Sequence, residues 1–217
     1  LHQAMIEVTG GRLGVVGAIV VGEGAAEGVD GSLEGGGLAA LRTLVGGLSD
    51  SFQMAVTLVQ HRHKDSDHLL RSLLQERSSL RVYEVEDKMP IEHGHIYVAP
   101  PNYHTLVEPG YFSLSTEAPV RFSRPSIDVT FASAADSYTH RTVGIVLTGA
   151  NADGAEGLRR ISDRGGLAIV QDPDTAESRP MPTAAQRAVP RARVMSLDAI
   201  ANFIASLPAG LPERESA

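Results

Sequence analysis

Three polar residues that can cooperate in catalysis each follow a run of apolar, mostly β-branched residues. Ser32 lies in the glycine-rich segment after the first run, His61 ends the second, and Asp153 lies in the turn after a third. Serine, histidine and aspartate are the parts of a nucleophile, a general base and the group that orients the base. The sequence therefore indicates hydrolytic chemistry with Ser32, His61 and Asp153 as candidate catalytic residues.

The apolar runs predict the elements that would position these residues. Residues 15–21, 54–59 and 143–147 are typical of strands buried on both faces of a parallel sheet. A segment with helical spacing of apolar residues follows each run. Since the carboxyl ends of parallel strands lie at one edge, the three polar residues are expected to converge there.

The rest of the chain alternates between predicted strands and helices. Pro109 and Gly110 separate two short strand candidates and predict an antiparallel hairpin. Further strands are predicted at 81–86, 91–98, 167–170 and 193–195, and helices at 38–48, 65–77, 127–138, 155–162, 184–188 and 198–207.

This order predicts an α/β fold, doubly wound, with a mostly parallel sheet, helices on both faces and an inserted antiparallel hairpin. Residues 1–207 are interpreted as a single domain, in which 1–13 carry no clear pattern. Residues 208–217 are expected to form a tail.

Composition excludes several classes of protein. The 217 residues are 42% apolar and 21% charged, which is ordinary for a globular domain. A net charge of −7 without a basic run argues against nucleic-acid partners. The chain has no cysteine, which excludes a thiol nucleophile, and no apolar stretch long enough to insert into a membrane. A cytoplasmic protein is expected.

Each candidate also has a simpler structural interpretation. Asp153 suits the N-cap of the following helix, and Ser32 suits a solvated loop. His61 is alternatively a capping histidine or one half of a metal pair with His63. No carboxylate or third histidine lies at metal-like spacing, so no metal is predicted.

The segment after the first strand also partly matches a dinucleotide-binding loop. Gly22 and Gly24 fit the pattern, but the third glycine, Gly28, comes one residue late. The acidic residues Glu23 and Glu27 would repel a pyrophosphate. No cofactor is therefore predicted.

A series of short motifs resembles one known family over residues 38 to about 207, the catalytic domain of CheB-type chemotaxis-receptor methylesterases (protein-glutamate methylesterases). The matching motifs occur in order at residues 36–41, 59–61, 95–100, 124–129, 147–155, 165–166, 170–173 and 181–182.

The resemblance implies a function. Members of this family hydrolyse glutamyl γ-methyl esters on chemoreceptor signalling helices and often deamidate glutamines there. The family's catalytic histidine falls on His61 and its aspartate on Asp153. The implied partners are chemoreceptor helices or a similar methylated protein, with a separate receiver or other chemotaxis protein.

The sequence departs from the family at the nucleophile. Family members carry it in a short turn, two residues before a Gly-Gly pair, where this chain has Glu34. Counting forward from the first strand instead reaches Gly24. Ser32 is the only hydroxyl residue in the longer segment found here. Either Ser32 has taken the role through an insertion, or the chain is a non-catalytic relative that binds a signalling partner through the same groove.

Two further departures concern the pocket and its control. Ala150 and Asn151 stand where chemotaxis members commonly carry Met-Gly. No receiver domain precedes the catalytic domain in the sequence, so phosphorylation control within these residues is not expected.

Overall fold

The apolar runs of the sequence form the strands of a central sheet. The structure, a computed structural model, describes residues 16–23 (backbone only), 36–61 and 69–207. The strands are β1 (Val16–Glu23), β2 (Ala55–His61), β3 (Arg81–Glu84), β4 (His95–Val98), β5 (His104–Glu108), β6 (Tyr111–Ser115), β7 (Val143–Val146), β8 (Leu167–Gln171) and β9 (Arg193–Met195). The helices are α1 (Gly36–Gly46), α2 (Leu69–Gln75), α3 (Ile127–Tyr138), α4 (Ala155–Asp163), α5 (Pro180–Ala188) and α6 (Leu197–Ala205), with a 3-10 turn at Thr139–Arg141.

Seven of these strands form one parallel sheet in the order β3-β4-β2-β1-β7-β8-β9. The chain builds outward from β1 through β2 and later returns to the other side of β1 with β7. This reversal makes a topological switch point beside β1. Open α/β sheets bind their ligands in the crevice at the carboxyl edge of such a point. The predicted doubly wound fold is confirmed.

The sheet is buried on both faces, as the β-branched runs predict. Along β2, Val56 and Leu58 join the apolar cluster that contains α1, α2 and α6. Their neighbours Ala55 and Val59 join a second cluster with α3, α4 and α5. Successive residues of β2 thus point to opposite faces of the sheet and pack into different apolar clusters. Because both faces are buried, the strand sequence is a continuous apolar run.

The predicted antiparallel hairpin is confirmed as β5 and β6, which pair with each other and not with the main sheet. Two hydrogen bonds of the Tyr138 hydroxyl attach its turn to α3. That hydroxyl accepts the Gly110 N–H at 2.6 Å and donates to the Glu108 carbonyl at 3.1 Å. Val107 and Phe112 complete the attachment by packing into the core beneath α3. The hairpin therefore covers one side of α3.

Several helix boundaries differ from the sequence prediction by a few residues. Helix α5 begins at Pro180 instead of Ala184, because proline is tolerated in the first helical turn, where its missing N–H would have no intrahelical partner. Helix α2 is described as Leu69–Gln75, and residues 65–68 of the predicted helix 65–77 lie outside the described residues. Among the residues that the structure describes, no helix is both long enough and apolar enough to cross a membrane.

Candidate active site

His61 and Asp153 form a hydrogen-bonded pair at the carboxyl edge of the sheet. His61 is the last residue of β2, and Asp153 lies in the turn between β7 and α4. His61 Nε2 is 2.8 Å from Asp153 Oδ2. Strands β2 and β7 flank β1 and so lie roughly 10 Å apart, and the two side chains meet across its end. The convergence expected from the sequence is therefore observed for this pair.

The carboxylate of Asp153 is fully buried and accepts hydrogen bonds on both oxygens. Oδ2 accepts the Ile127 N–H at 2.8 Å in addition to the bond from His61. Oδ1 accepts the Ser126 hydroxyl at 3.0 Å, the Asp128 N–H at 3.0 Å and the Gly154 N–H at 3.1 Å. The donors Ile127 and Asp128 are the first residues of α3, so the charge also lies at the positive end of that helix.

These contacts correct the capping interpretation of Asp153 made from the sequence. Ser126 occupies the N-cap position of α3, but its hydroxyl does not cap the helix and instead donates to Asp153. Asp153 caps α3, not the α4 helix that follows it in the chain. Gly154 takes the N-cap position of α4 with φ of 93°, a conformation that favours glycine.

Asp128 caps the N-terminus of α4 in the same way. Its Oδ1 accepts the N–H of Gly157, in the first turn of α4, at 2.8 Å. A Cβ added to Gly157 would lie 3.0 Å from the Asp128 backbone and 2.5 Å from Phe131 Cβ, so the two helices approach as closely as glycine permits. Asp153, in the turn before α4, therefore caps α3, and Asp128 of α3 caps α4. This pair of contacts fixes the position of Asp153.

The two carboxyl groups have opposite pKa shifts. Burial by itself raises the pKa of Asp153, but the hydrogen bonds from His61, Ile127 and Asp128 outweigh it and hold the pKa below its ordinary value. Burial also raises the pKa of Asp128, the Gly157 N–H offsets this only in part, and the charge of Asp153 raises it further. Asp153 is therefore the ionised partner of His61 at neutral pH.

Asp128→Asn is expected to raise the free energy of unfolding at neutral pH. A carboxyl group whose folded pKa is raised contributes stability at low pH and loses it as the pH rises through that value. The asparagine oxygen can still accept the Gly157 N–H, while the charge beside Asp153 disappears. The gain should shrink as the pH falls through the raised pKa of wild-type Asp128, because the carboxyl group takes up its proton there and loses its charge. Urea denaturation of both proteins across this range measures the difference, and a loss of stability independent of pH would contradict it.

The turn that carries Asp153 is fastened to the segment before α5. Thr148 Oγ1 accepts the Ser178 N–H at 2.7 Å, and the Gly149 N–H donates to the Ser178 carbonyl at 3.0 Å. The Met181 N–H in turn donates to the Gly149 carbonyl at 2.9 Å. Met181 is completely buried, and a Cβ on Gly149 would lie 2.6 Å from its sulfur. The motifs at 147–155 and 181–182 therefore form one structural unit.

Two residues near the site were not identified as site residues by sequence reasoning. Asn151 Nδ2 lies 3.2 Å from Nδ1 of His61. Buried His104 accepts the Ser126 N–H on Nδ1 at 3.2 Å, and its Nε2 lies 3.1 Å from the Ala118 carbonyl. Asn151 was visible in the sequence only as a departure from the family pattern, and nothing local signalled His104.

The candidate nucleophile Ser32 lies outside the described residues. The described residues resume at Gly36, the first residue of α1. A Cβ built on Gly36 would lie 2.0 Å from Glu177 Oε2, so a carboxylate rests directly against this helix end. Negative charge is favourable at a helix N-terminus, and Glu177 would have to move before a substrate oxyanion could use the same position.

Among residues 36–61 and 69–207, no group of three or more histidine, aspartate or glutamate side chains is arranged to hold a metal ion. The side chains around His61 and Asp153 instead suit proton transfer. A buried, ionised carboxylate holds one nitrogen of the His61 imidazole, and this is how the base of a catalytic triad is oriented.

Comparison with known families gives one match over most of the chain. Residues 34–204 match the family described as CheB methylesterase. The crystal structure of the Thermotoga maritima CheB methylesterase catalytic domain superposes with a TM-score of 0.80 and 25% sequence identity, covering 90% of this chain and 99% of that one.

Curated relatives carry consistent names. A Leptospira interrogans protein, provisionally named a protein-glutamate methylesterase/protein-glutamine glutaminase, is 43% identical over 173 residues, which are 79% of this chain and 90% of that protein. A protein-glutamate methylesterase/protein-glutamine glutaminase from Anaeromyxobacter dehalogenans is 36% identical over 172 residues. That alignment covers 79% of this chain and 50% of the relative.

Proposed function

Because this chain belongs to the CheB methylesterase family, we propose that it is a protein-glutamate methylesterase that hydrolyses glutamyl γ-methyl esters of a signalling protein. The observation that carries the proposal is the 2.8 Å bond between His61 Nε2 and the buried carboxylate of Asp153. The relatives' names add glutaminase activity, in which ammonia replaces methanol as the leaving group.

In the proposed mechanism, Ser32 is the nucleophile and His61 the general base. The Ser32 oxygen attacks the ester carbonyl carbon while its proton passes to Nδ1 of His61. The tetrahedral oxyanion then collapses and breaks the bond to the methoxy oxygen, which takes the proton from His61 and leaves as methanol. Water attacks the resulting acyl-enzyme by the same route, releasing the glutamate side chain and regenerating Ser32.

Asp153 stabilises the imidazolium that forms during each step. Its hydrogen bond to Nε2 strengthens when the ring becomes positively charged. The hydrogen bonds from Ser126, Ile127 and Asp128 keep the carboxylate ionised and in place. This is electrostatic preorganisation, because the groups that stabilise the charge are already oriented before the reaction begins.

The topology supports a nucleophile from residues 24–35. Strand β1 lies between β2 and β7, and it pairs Glu23 with His61 at its last position. The segment that leaves β1 therefore starts from a residue paired with His61. Ser32 is the only hydroxyl residue of that segment.

We propose that the substrate is a methylated chemoreceptor helix or a similar methylated protein, and that the protein acts in the cytoplasm, where such helices signal. The net charge of −7 disfavours nucleic acid as a partner. The alternative of a non-catalytic binding module is not favoured, because the pair that a hydrolase needs is intact and the relatives are named as enzymes.

Labelling with a serine-reactive fluorophosphonate tests the proposal. Wild-type protein should be labelled at Ser32 and release methanol from a methylated receptor fragment. Ser32→Ala should abolish labelling and lower methanol release by about 10⁴-fold or more, since loss of the nucleophile removes the covalent route. Ser72→Ala, at an exposed position of α2, is the matched control and should behave as wild type.

The outcomes separate the alternatives. Labelling at a different residue would reject Ser32 as the nucleophile but retain the hydrolase. A folded protein that neither reacts with the fluorophosphonate nor releases methanol would reject the enzyme and support the binding module.

A further inference from the structure

The side chain of Asn151 contacts both members of the His61–Asp153 pair. Its Oδ1 accepts the backbone N–H of Asp153 at 2.8 Å, which is the local turn that asparagine favours. Its Nδ2 lies 3.2 Å from His61 Nδ1. Because the oxygen is held by the backbone, the amide can present only its NH₂ group to the imidazole.

These contacts define one arrangement of hydrogens. Asp153 is an ionised acceptor, so Nε2 of His61 must carry the ring proton. A neutral imidazole has only one N–H, which leaves Nδ1 with a lone pair. The NH₂ group of Asn151 donates to that lone pair. Every hydrogen bond in the group then has one donor and one acceptor.

The lone pair on Nδ1 is also the one that the proposed mechanism requires. A nucleophilic hydroxyl must hydrogen-bond to Nδ1 before it can transfer its proton there. The lone pair of an sp² ring nitrogen lies in a single direction in the ring plane, so the amide and the hydroxyl compete for it. Once Nδ1 is protonated, it and the amide are both donors, and their hydrogen bond no longer exists.

We propose that Asn151 is a positioning residue that holds the neutral imidazole of His61 by Nδ1 in the resting protein and is displaced by the nucleophile's hydroxyl as the reaction begins. This inference rests on the proposed function for its effect on rate, but not for the hydrogen bond itself. The site thus has a resting state in which both ring nitrogens are occupied.

Asn151→Ser separates the two roles of the side chain. A serine hydroxyl can still accept the Asp153 N–H but is too short to reach Nδ1. Removing a hydrogen bond of ordinary strength from the resting state should raise the rate constant for fluorophosphonate labelling by about three- to tenfold. For ester hydrolysis the same gain should appear in kcat with KM unchanged, because Asn151 acts on the imidazole and not on the substrate.

Asn151→Asp reverses the effect while keeping the shape of the side chain. One carboxylate oxygen can accept the Asp153 N–H, but the other would face Nδ1 as an acceptor. It would hold a proton on Nδ1 and remove the lone pair, so labelling should become at least about tenfold slower than in wild type. Asn202→Ser, at an exposed position of α6, controls for loss of an asparagine.

Nitrogen NMR of the imidazole tests the hydrogen bond without any activity. The His61 signals are those lost in His61→Ala, and wild type should show Nε2 protonated and Nδ1 as a hydrogen-bonded acceptor. Asn151→Ser should shift Nδ1 toward a free acceptor, and Asn202→Ser should not. An unmoved Nδ1 signal, or labelling no faster than wild type in a reactive protein, would overturn the inference. A shifted Nδ1 in a protein without esterase activity would support it and contradict the proposed function.

Discussion

Asp153→Asn is expected to lower ester hydrolysis by about 10⁴-fold, the loss typical when the aspartate that orients a catalytic histidine becomes an amide. The asparagine NH₂ cannot accept the proton of Nε2, so the imidazole loses its preferred tautomer and its stabilising charge. Kinetics of methanol release, or of fluorophosphonate labelling, measure the effect. Full activity in this variant would exclude Asp153 from the mechanism.

The same substitution should also destabilise the fold. Asp153 accepts five hydrogen bonds, two on Oδ2 and three on Oδ1, within a fully buried site. In the asparagine variant, an NH₂ group replaces one of the two carboxylate oxygens. If it replaces Oδ2 it faces two hydrogen-bond donors, and if it replaces Oδ1 it faces three, so in either orientation donors are left opposite each other. We expect the free energy of unfolding to fall by about 2–4 kcal/mol, the range for buried, charge-assisted hydrogen bonds.

A matched control for the stability effect is Asp136→Asn. Asp136 pairs with Arg160 and Arg164 on the exposed surface of α3, where ion pairs contribute about 0–1 kcal/mol. Urea denaturation should therefore separate the two variants clearly. Equal stabilities would mean that the capping role of Asp153 contributes little to folding.

His61→Ala should lose activity without a comparable loss of stability. Removing the general base from a catalytic triad costs about 10⁶-fold in kcat, and labelling of Ser32 should disappear with it. Asp153 keeps four of its five hydrogen bonds, and the histidine side chain is 12% exposed, so water can solvate the vacated side. We expect a change in unfolding free energy near about 1 kcal/mol, the usual value of one hydrogen bond.

Comparison of the variants tests whether the pair acts as a unit. The double variant of His61→Ala and Asp153→Asn should be no slower than His61→Ala alone, because residues that act together are not additive. His140→Ala, at an exposed histidine, is the control and should match wild type in both measurements. Persistent labelling in His61→Ala would contradict the assignment of the general base.

Much of the fold follows from local patterns. The β-branched runs predicted β2 and β7 as buried strands, and alternate burial on their two faces explains why no polar alternation appears. Helix α3 has the boundaries expected from its apolar spacing. Helix α5 begins four residues earlier than predicted, because Pro180 fits the first helical turn.

The placement of His61 and Asp153 could also be predicted. Both follow runs that form parallel strands, and the carboxyl ends of such strands share one edge of the sheet. This rule needs only the chain order and the strand type. Their proximity is therefore a consequence that the sequence determined, together with the fold class. The role of Ser32 and the extent of the domain, residues 1–207, stay predictions.

Tertiary structure alone decided how the site is held. Asp153 caps α3, although strand β7 lies between them in the chain, and Asp128 of α3 caps α4. Each cap therefore depends on the packing of the two helices. Asn151 reaches His61 across β1, although 90 residues separate them in the chain. Local propensity determines strands and helices because it acts between near neighbours. Hydrogen bonds between distant side chains depend on distances of a few tenths of an ångström, and only the packed core sets those.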